Sequence, residues 1–154
     1  MLKWLISKII KQKTEEVKRV VVPLFKNQSD RLENEYRFLK DKNPELYELM
    51  TDLTVWSTRE LGMPVTITMI DRTQAEQDEI YKNDAKYMAK KFKSPHQLWS
   101  AVDIRSITYT LDQIKQTEEY LNNKYNPINT YAWTAKNHKV GNNGLHFHIQ
   151  YIKK

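Results

Sequence analysis

A small α+β domain built on an antiparallel sheet flanked by helices is the fold this chain predicts, and three observations predict it. Alternating segments at 64–70, 101–105 and 145–151 read as strands. Capping signals at Asn43-Pro44, Thr73 with Glu76, and Thr110 with Gln113 open helices that separate them. The 154 residues are 40% hydrophobic with 3 Gly and 5 Pro, enough for one core and too few breakers for a flexible linker. Strands divided by helices in this way belong to the α+β class.

Met1 to about Glu16 sets Leu2, Leu5, Ile6, Ile9 and Ile10 at helical spacing among Lys3, Lys8, Lys11 and Lys13. This predicts a basic amphipathic helix ahead of a domain spanning 17–154. Its apolar stripe has two uses: packing on the domain that follows, which is the simpler, or weak contact with an anionic membrane surface. The helix is too charged for a transmembrane span, and Lys8 interrupts the apolar core that a cleaved secretion signal needs.

Val20 to Phe25 is a short apolar segment stopped by Pro23, and Ser29 to Lys40 reads as helical. Asn43 as cap and Pro44 in the first turn start a longer helix to about Leu61, stopped by Gly62, with Leu46, Leu49, Met50, Leu53 and Trp56 on its buried face. A strand at 64–70 precedes a helix from Thr73 to about Asn83; Asp84 to Lys93 is basic and gives no clear period. Ala101, Asp103 and Arg105 share one face of a strand whose other face is Val102 and Ile104. Thr110 with Gln113 caps a helix to about Tyr125, Thr130 to Ala135 reads as the penultimate strand, and Ala135 to Gly144, which holds His138, reads as a solvated loop.

Two phrases carry the chemistry. His96 and Asp103 stand in SPHQLWSAVD, and His146 and His148 in LHFHIQYI. In the second phrase Leu145, Phe147, Ile149 and Tyr151 alternate with the histidines, so both imidazoles leave one face with Cα atoms about 6 to 7 Å apart. His96 falls in the loop feeding the 101–105 strand, after Pro95. Imidazole nitrogens with a carboxylate oxygen satisfy zinc, and a catalytic site uses three such ligands while leaving one position open. With zero cysteines, thiolate sites and disulfides are excluded. Each residue alone has a plainer use: a single histidine fills surface or core, and Asp103 has Arg72 or Arg105 as ion-pair partners.

His96, six intervening residues, Asp103 and the later His146-Phe147-His148 resemble the signature of the zinc D-Ala-D-Ala carboxypeptidases and their phage endolysin relatives, which cut cell-wall peptides. The family's first phrase reads S-x-H-x-x-G-x-A-x-D. Ser94, His96, Ala101 and Asp103 match it in register, and Trp99 stands at the glycine position, where a positive φ suits Gly and resists a bulky side chain. Residues 67–77 are similar to the family's strand-then-helix segment, with Arg72 and then Gln77 five residues later.

The resemblance implies the hedgehog or D-Ala-D-Ala-peptidase-like fold and zinc held by His96, Asp103 and His148. It implies His146 as a polar catalytic group beside the ion, and Arg72, Gln77 and Ser94 facing the peptidoglycan peptide. Arg72, at a strand end, would hold a substrate carboxylate or steady an oxyanion; its plainer use is a salt bridge to Asp71, Glu76 or Asp103. The implied activity is carboxypeptidase or endopeptidase hydrolysis, in a bacterial enzyme or a phage or prophage lysin made in the cytoplasm and acting at the wall or within a virion.

Hydrolysis also needs a group that moves a proton from water to the leaving amine. Many relatives place an acid three residues before the last metal histidine, where this chain has Leu145; three before His146 stands Asn143. His146 is therefore the candidate for proton shuttling or for oxyanion stabilisation, as in family members with the same H-x-H ending. A zinc-binding module without turnover is the alternative. Charge offers a third class: 25 basic against 19 acidic residues give +6, and Tyr81, Tyr87 and Phe92 interleave with Lys82, Lys86, Lys90, Lys91 and Lys93. That pattern suits stacking and phosphate tracking, but no recognised nucleic-acid motif accompanies it, and polyanionic wall polymers would attract the same field.

Overall fold

The structure is a computed structural model that describes residues 29–125, 134–139 and 144–151. The segments 1–16 and Val20–Phe25, and the first four residues of the strand expected at 130–135, lie outside the described residues. Among the described residues are five α-helices and a four-stranded antiparallel sheet. None of these helices is long and apolar enough to cross a membrane.

Helix α1 (Asp30–Lys42) begins where the Ser29 hydroxyl accepts the Leu32 amide, with Asp30 and Glu33 in the first turn and Lys40 and Lys42 in the last, charges that complement the helix dipole. Helix α2 (Pro44–Trp56) starts at the Asn43 cap and continues as a wider turn over Ser57–Leu61. Gly62, at φ 64°, ends it in the left-handed region that glycine enters freely. The expected helix to about Leu61 and its glycine stop are both present.

Strand β1 (Ile67–Met69) is shorter than the 64–70 expected. Pro64 has no amide to give a ladder, and the Ile70 carbonyl is taken by the His96 ring. Helix α3 (Gln74–Ile80) opens on a complete capping box between Thr73 and Glu76 and ends three residues before Asn83. The basic stretch after it contains a short helix α4 (Ala85–Ala89), capped by Asp84.

Tyr87 of α4 is fully buried, and its ring packs edge-on or tilted against Tyr81 and Phe92 at 5.2–5.3 Å. These rings spend much of their surface on one another, and Lys91 pairs with Asp78. The segment is thus a small satellite core with lysines around it.

Strand β2 (Ala101–Arg105), helix α5 (Leu111–Tyr125), strand β3 (Ala135–His138) and strand β4 (His146–Gln150) follow among the described residues. The reciprocal Thr110–Gln113 bonds expected before α5 are present. The sheet order is β1-β2-β4-β3. One face carries Val102, Ile104, Phe147 and Ile149 into a core shared with Leu39 of α1 and Leu46, Leu49, Met50 and Leu53 of α2. Burying that sheet face under the helices leaves Asp103, His146 and His148 together on the other face, as period-two alternation requires.

Candidate metal centre

His96 sits in a single 3-10 turn, His96–Leu98, where a feeding loop was expected. The turn is stopped by Trp99, whose φ of 55° makes it the sole non-glycine residue in the left-handed region among the described residues. The backbone there takes the conformation a glycine would favour, although the residue is tryptophan. Trp99 packs on the edge of the core, which offsets the steric cost of about 1 kcal/mol or more. The reversal carries the chain from His96 into β2, so that His96 and Asp103 converge.

The β2–β4 register sets Asp103 opposite His148 and Arg105 opposite His146. Asp103 Oδ1 lies 2.8 Å from His148 Nδ1 and 3.3 Å from His96 Nε2, while Oδ2 lies 3.8 Å from His146 Nε2. Asp103 is thus surrounded by imidazoles and pairs with neither Arg72 nor Arg105. Burial pushes its carboxyl up, but the His148 hydrogen bond and the adjacent His96 ring outweigh burial and hold it well below the usual carboxylate range.

His96, Asp103 and His148 form a group able to hold a metal ion, each offering one ligand atom with all three atoms within 4.8 Å of one another. Zinc bonds of about 2.0–2.2 Å set neighbouring ligand atoms roughly 3.3 Å apart, close to the His96–Asp103 separation. The tautomers point the same way. His96 Nδ1 is 3.0 Å from the Ile70 carbonyl and His146 Nδ1 is 2.8 Å from the Gly144 carbonyl, so each neutral ring donates there and keeps a lone pair on Nε2. His96 Nε2 is buried, has no hydrogen-bond partner among the described residues, and faces a carboxylate oxygen. In that tautomer a lone pair faces a lone pair, and a cation between them would relieve the repulsion. The donor set fits a metal on these grounds.

His138 is the histidine whose place the sequence misassigned. It is not in a solvated loop: β3 runs through it, and the register sets it directly opposite His146. Its ring centroid is 4.8 Å from that of His146 and 5.8 Å from that of His148, and its Nε2 is buried without a hydrogen-bond partner among the described residues. Burial, followed by the two neighbouring imidazoles, lowers its pKa. The alternation of Ala135 and Asn137 with Lys136 and His138 is the signal for this strand, but three polar residues in four gave it no apolar face to recognise.

Arg72 donates to Gln77 Oε1 at 3.0 Å, and both are buried. The plainer salt bridges for Arg72 are not formed, since Glu76 is held by Arg31. Arg72 Nε, Gln77 Nε2 and the hydroxyl of buried Ser94 have no hydrogen-bond partner among the described residues. Ser94 is joined through its amide to Gln97, one residue past His96. Leaving a buried donor unfilled costs about 1–3 kcal/mol.

A cleft of about 380 Å³ opens beside Asp103 and His146, walled by Met69, Arg105, Ile107 and Leu145. Comparison of the chain with models of protein families, with curated proteins and with solved structures finds no match.

Proposed function

We propose that the protein is a zinc-dependent peptidase that hydrolyses a peptide bond in peptidoglycan, as a carboxypeptidase or an endopeptidase of the lysin type. The observation that carries this reading is the grouping of His96, Asp103 and His148, each offering one ligand atom within 4.8 Å of the others, with a further imidazole, His146, alongside and an open cleft next to it. A zinc ion held by His96, Asp103 and His148 would supply Lewis-acid polarisation of a peptide carbonyl and lower the pKa of a bound water.

The chain's own residues supply the rest. His146, fixed through Nδ1 to the Gly144 carbonyl, presents Nε2 as the base that takes the water's proton and returns it to the departing amine. Water adds to the carbonyl carbon, the carbon–nitrogen bond breaks, and the products are a carboxylate and an amine. Arg72, braced by Gln77, offers its remaining N–H groups to a substrate carboxylate or to the developing oxyanion, and Ser94 offers a hydroxyl close to His96 in the chain. The match of Ser94, His96, Ala101 and Asp103 to the carboxypeptidase phrase, together with the left-handed backbone at Trp99, supports the family likeness on local geometry.

A zinc-binding module without turnover is the second reading, favoured by Leu145 at the position where many such peptidases carry an acid. Digestion of purified cell walls with zinc-loaded protein separates the two. New free amines and shortened muropeptides by mass spectrometry, abolished by a chelator, are expected; walls left intact by protein that retains its zinc would favour the second reading.

A further inference from the structure

The cleft beside the metal centre has a composition that the hydrolytic machinery does not use. Met69, Ile107 and Leu145 give it an apolar wall, and Ile107 and Leu145 remain 65% and 41% exposed. Among the described residues that line it, Arg105 is the one Lys or Arg. Among the described arginines, Arg31, Arg37 and Arg59 each pair with a glutamate and Arg72 bonds Gln77, whereas the Arg105 side chain has neither an ion-pair nor a hydrogen-bond partner among the described residues. An exposed Arg is ordinary on an open surface. Here it lines a concave site, opposite His146 in the β2–β4 register and two residues along the strand from Asp103.

We infer that Arg105 is a specificity-determining residue that reads a carboxylate carried by the peptide one or two residues from the bond being cut. The distance follows from strand geometry. Asp103 and Arg105 are about 6 to 7 Å apart along β2, and each extended residue of a peptide spans about 3.3–3.6 Å. The planar guanidinium fork matches a carboxylate with two parallel hydrogen bonds, and the apolar wall seats the small aliphatic group beside it. This inference rests on the peptidase reading for its substrate class, because it places the anion on the peptide that is hydrolysed.

The test uses the zinc-loaded full chain with a stem pentapeptide, L-Ala-γ-D-Glu-L-Lys-D-Ala-D-Ala, in matched forms. In one pair the D-Glu α-carboxylate is free or amidated, and in the other the C-terminus is acid or amide. Turnover is read by amine release and binding by fluorescence anisotropy of labelled peptide.

The wild-type chain is expected to prefer one carboxylate over its amide by roughly tenfold, in KM and Kd rather than kcat. Arg105→Gln brings that ratio close to one while leaving kcat intact, and Arg105→Lys restores part of it, which a merely structural role would not do. The pair that responds identifies the carboxylate. A wild-type chain blind to both carboxylates, or an Arg105→Gln variant with an unchanged ratio, would overturn the inference. Carboxylate-dependent binding through Arg105 without hydrolysis would remove the peptidase and keep the subsite; hydrolysis without discrimination would do the reverse; neither binding nor hydrolysis would remove both.

Discussion

Asp103 and His148 face each other across the β2–β4 ladder, with 2.8 Å between Oδ1 and Nδ1, so a single register brings acid and imidazole together without any loop to position them. His146 lies one pleat away on the same face, 3.8 Å from the other carboxylate oxygen. On the proposed zinc reading the two histidines carry different burdens. His148→Ala removes a ligand and should lower zinc affinity by more than the 10–100-fold that loss of an outer partner costs, whereas His146→Ala should stay within about tenfold of wild type while losing turnover. Zinc retained after dialysis against a competing chelator measures this, and equal loss in both variants would undo the division of roles.

Trp99 holds φ 55° while its ring packs against the core edge. Trp99→Ala and Trp99→Gly lose the same packing, but only glycine also sheds the steric cost. The glycine variant should be the more stable of the two by about 1 kcal/mol, read from denaturant midpoints. An alanine variant as stable as the glycine one would show that the turn relaxes out of the left-handed region.

Asn43 joins helix capping to the site. Its Oδ1 accepts from Leu46 N at 3.1 Å, and its Nδ2 donates to the carbonyls of Trp99 and Tyr151, both at 3.0 Å. Asn43→Ala removes the cap and strands two carbonyls, so about 3 kcal/mol of stability should be lost. Asn43→Asp keeps the cap but not the donors and should also destabilise. A wild-type melting temperature for the aspartate variant would show that the bonds to Trp99 and Tyr151 contribute nothing.

The hydrogen bond from Arg31, ahead of the smaller opposing effect of burial, lowers the Glu76 carboxyl from its ordinary 4.5 to about 2. A group depressed on folding stabilises fully above its unfolded pKa and loses that contribution as pH falls toward the folded value. The stability gap between wild type and Glu76→Gln should thus be present at pH 6, shrink from about pH 4.5 downward and vanish near pH 2. Both partners are partly exposed, so solvent screening keeps the gap below about 1 kcal/mol. Chemical denaturation across that range checks it; a gap that grows toward low pH would have the wrong sign.

The parts of the fold legible in the sequence are those where one local rule acts alone. Asn43-Pro44, Thr73 with Glu76, and Thr110 with Gln113 each begin a helix because the capping side chain and the orphan amides are neighbours in the chain. β4 was legible because Phe147 and Ile149 must be buried on the face opposite the histidines. What local rules missed depends on distant partners. β3 exists because β4 offers it a ladder, not because Ala-Lys-Asn-His favours a strand, and that pairing moves His138 from a loop to the side of His146. Tyr87, read as part of a basic aromatic surface, is buried because Tyr81 and Phe92 close over it.

X-ray absorption at the zinc edge on the stoichiometrically loaded full chain addresses the triad itself. The arrangement of His96, Asp103 and His148 predicts one ion per chain with two imidazole nitrogens and carboxylate oxygen at about 2.0–2.2 Å, and loss of the imidazole scattering in a His96→Ala, His148→Ala double variant. A chain that takes up no zinc, or a first shell without imidazole in the wild type, would contradict it.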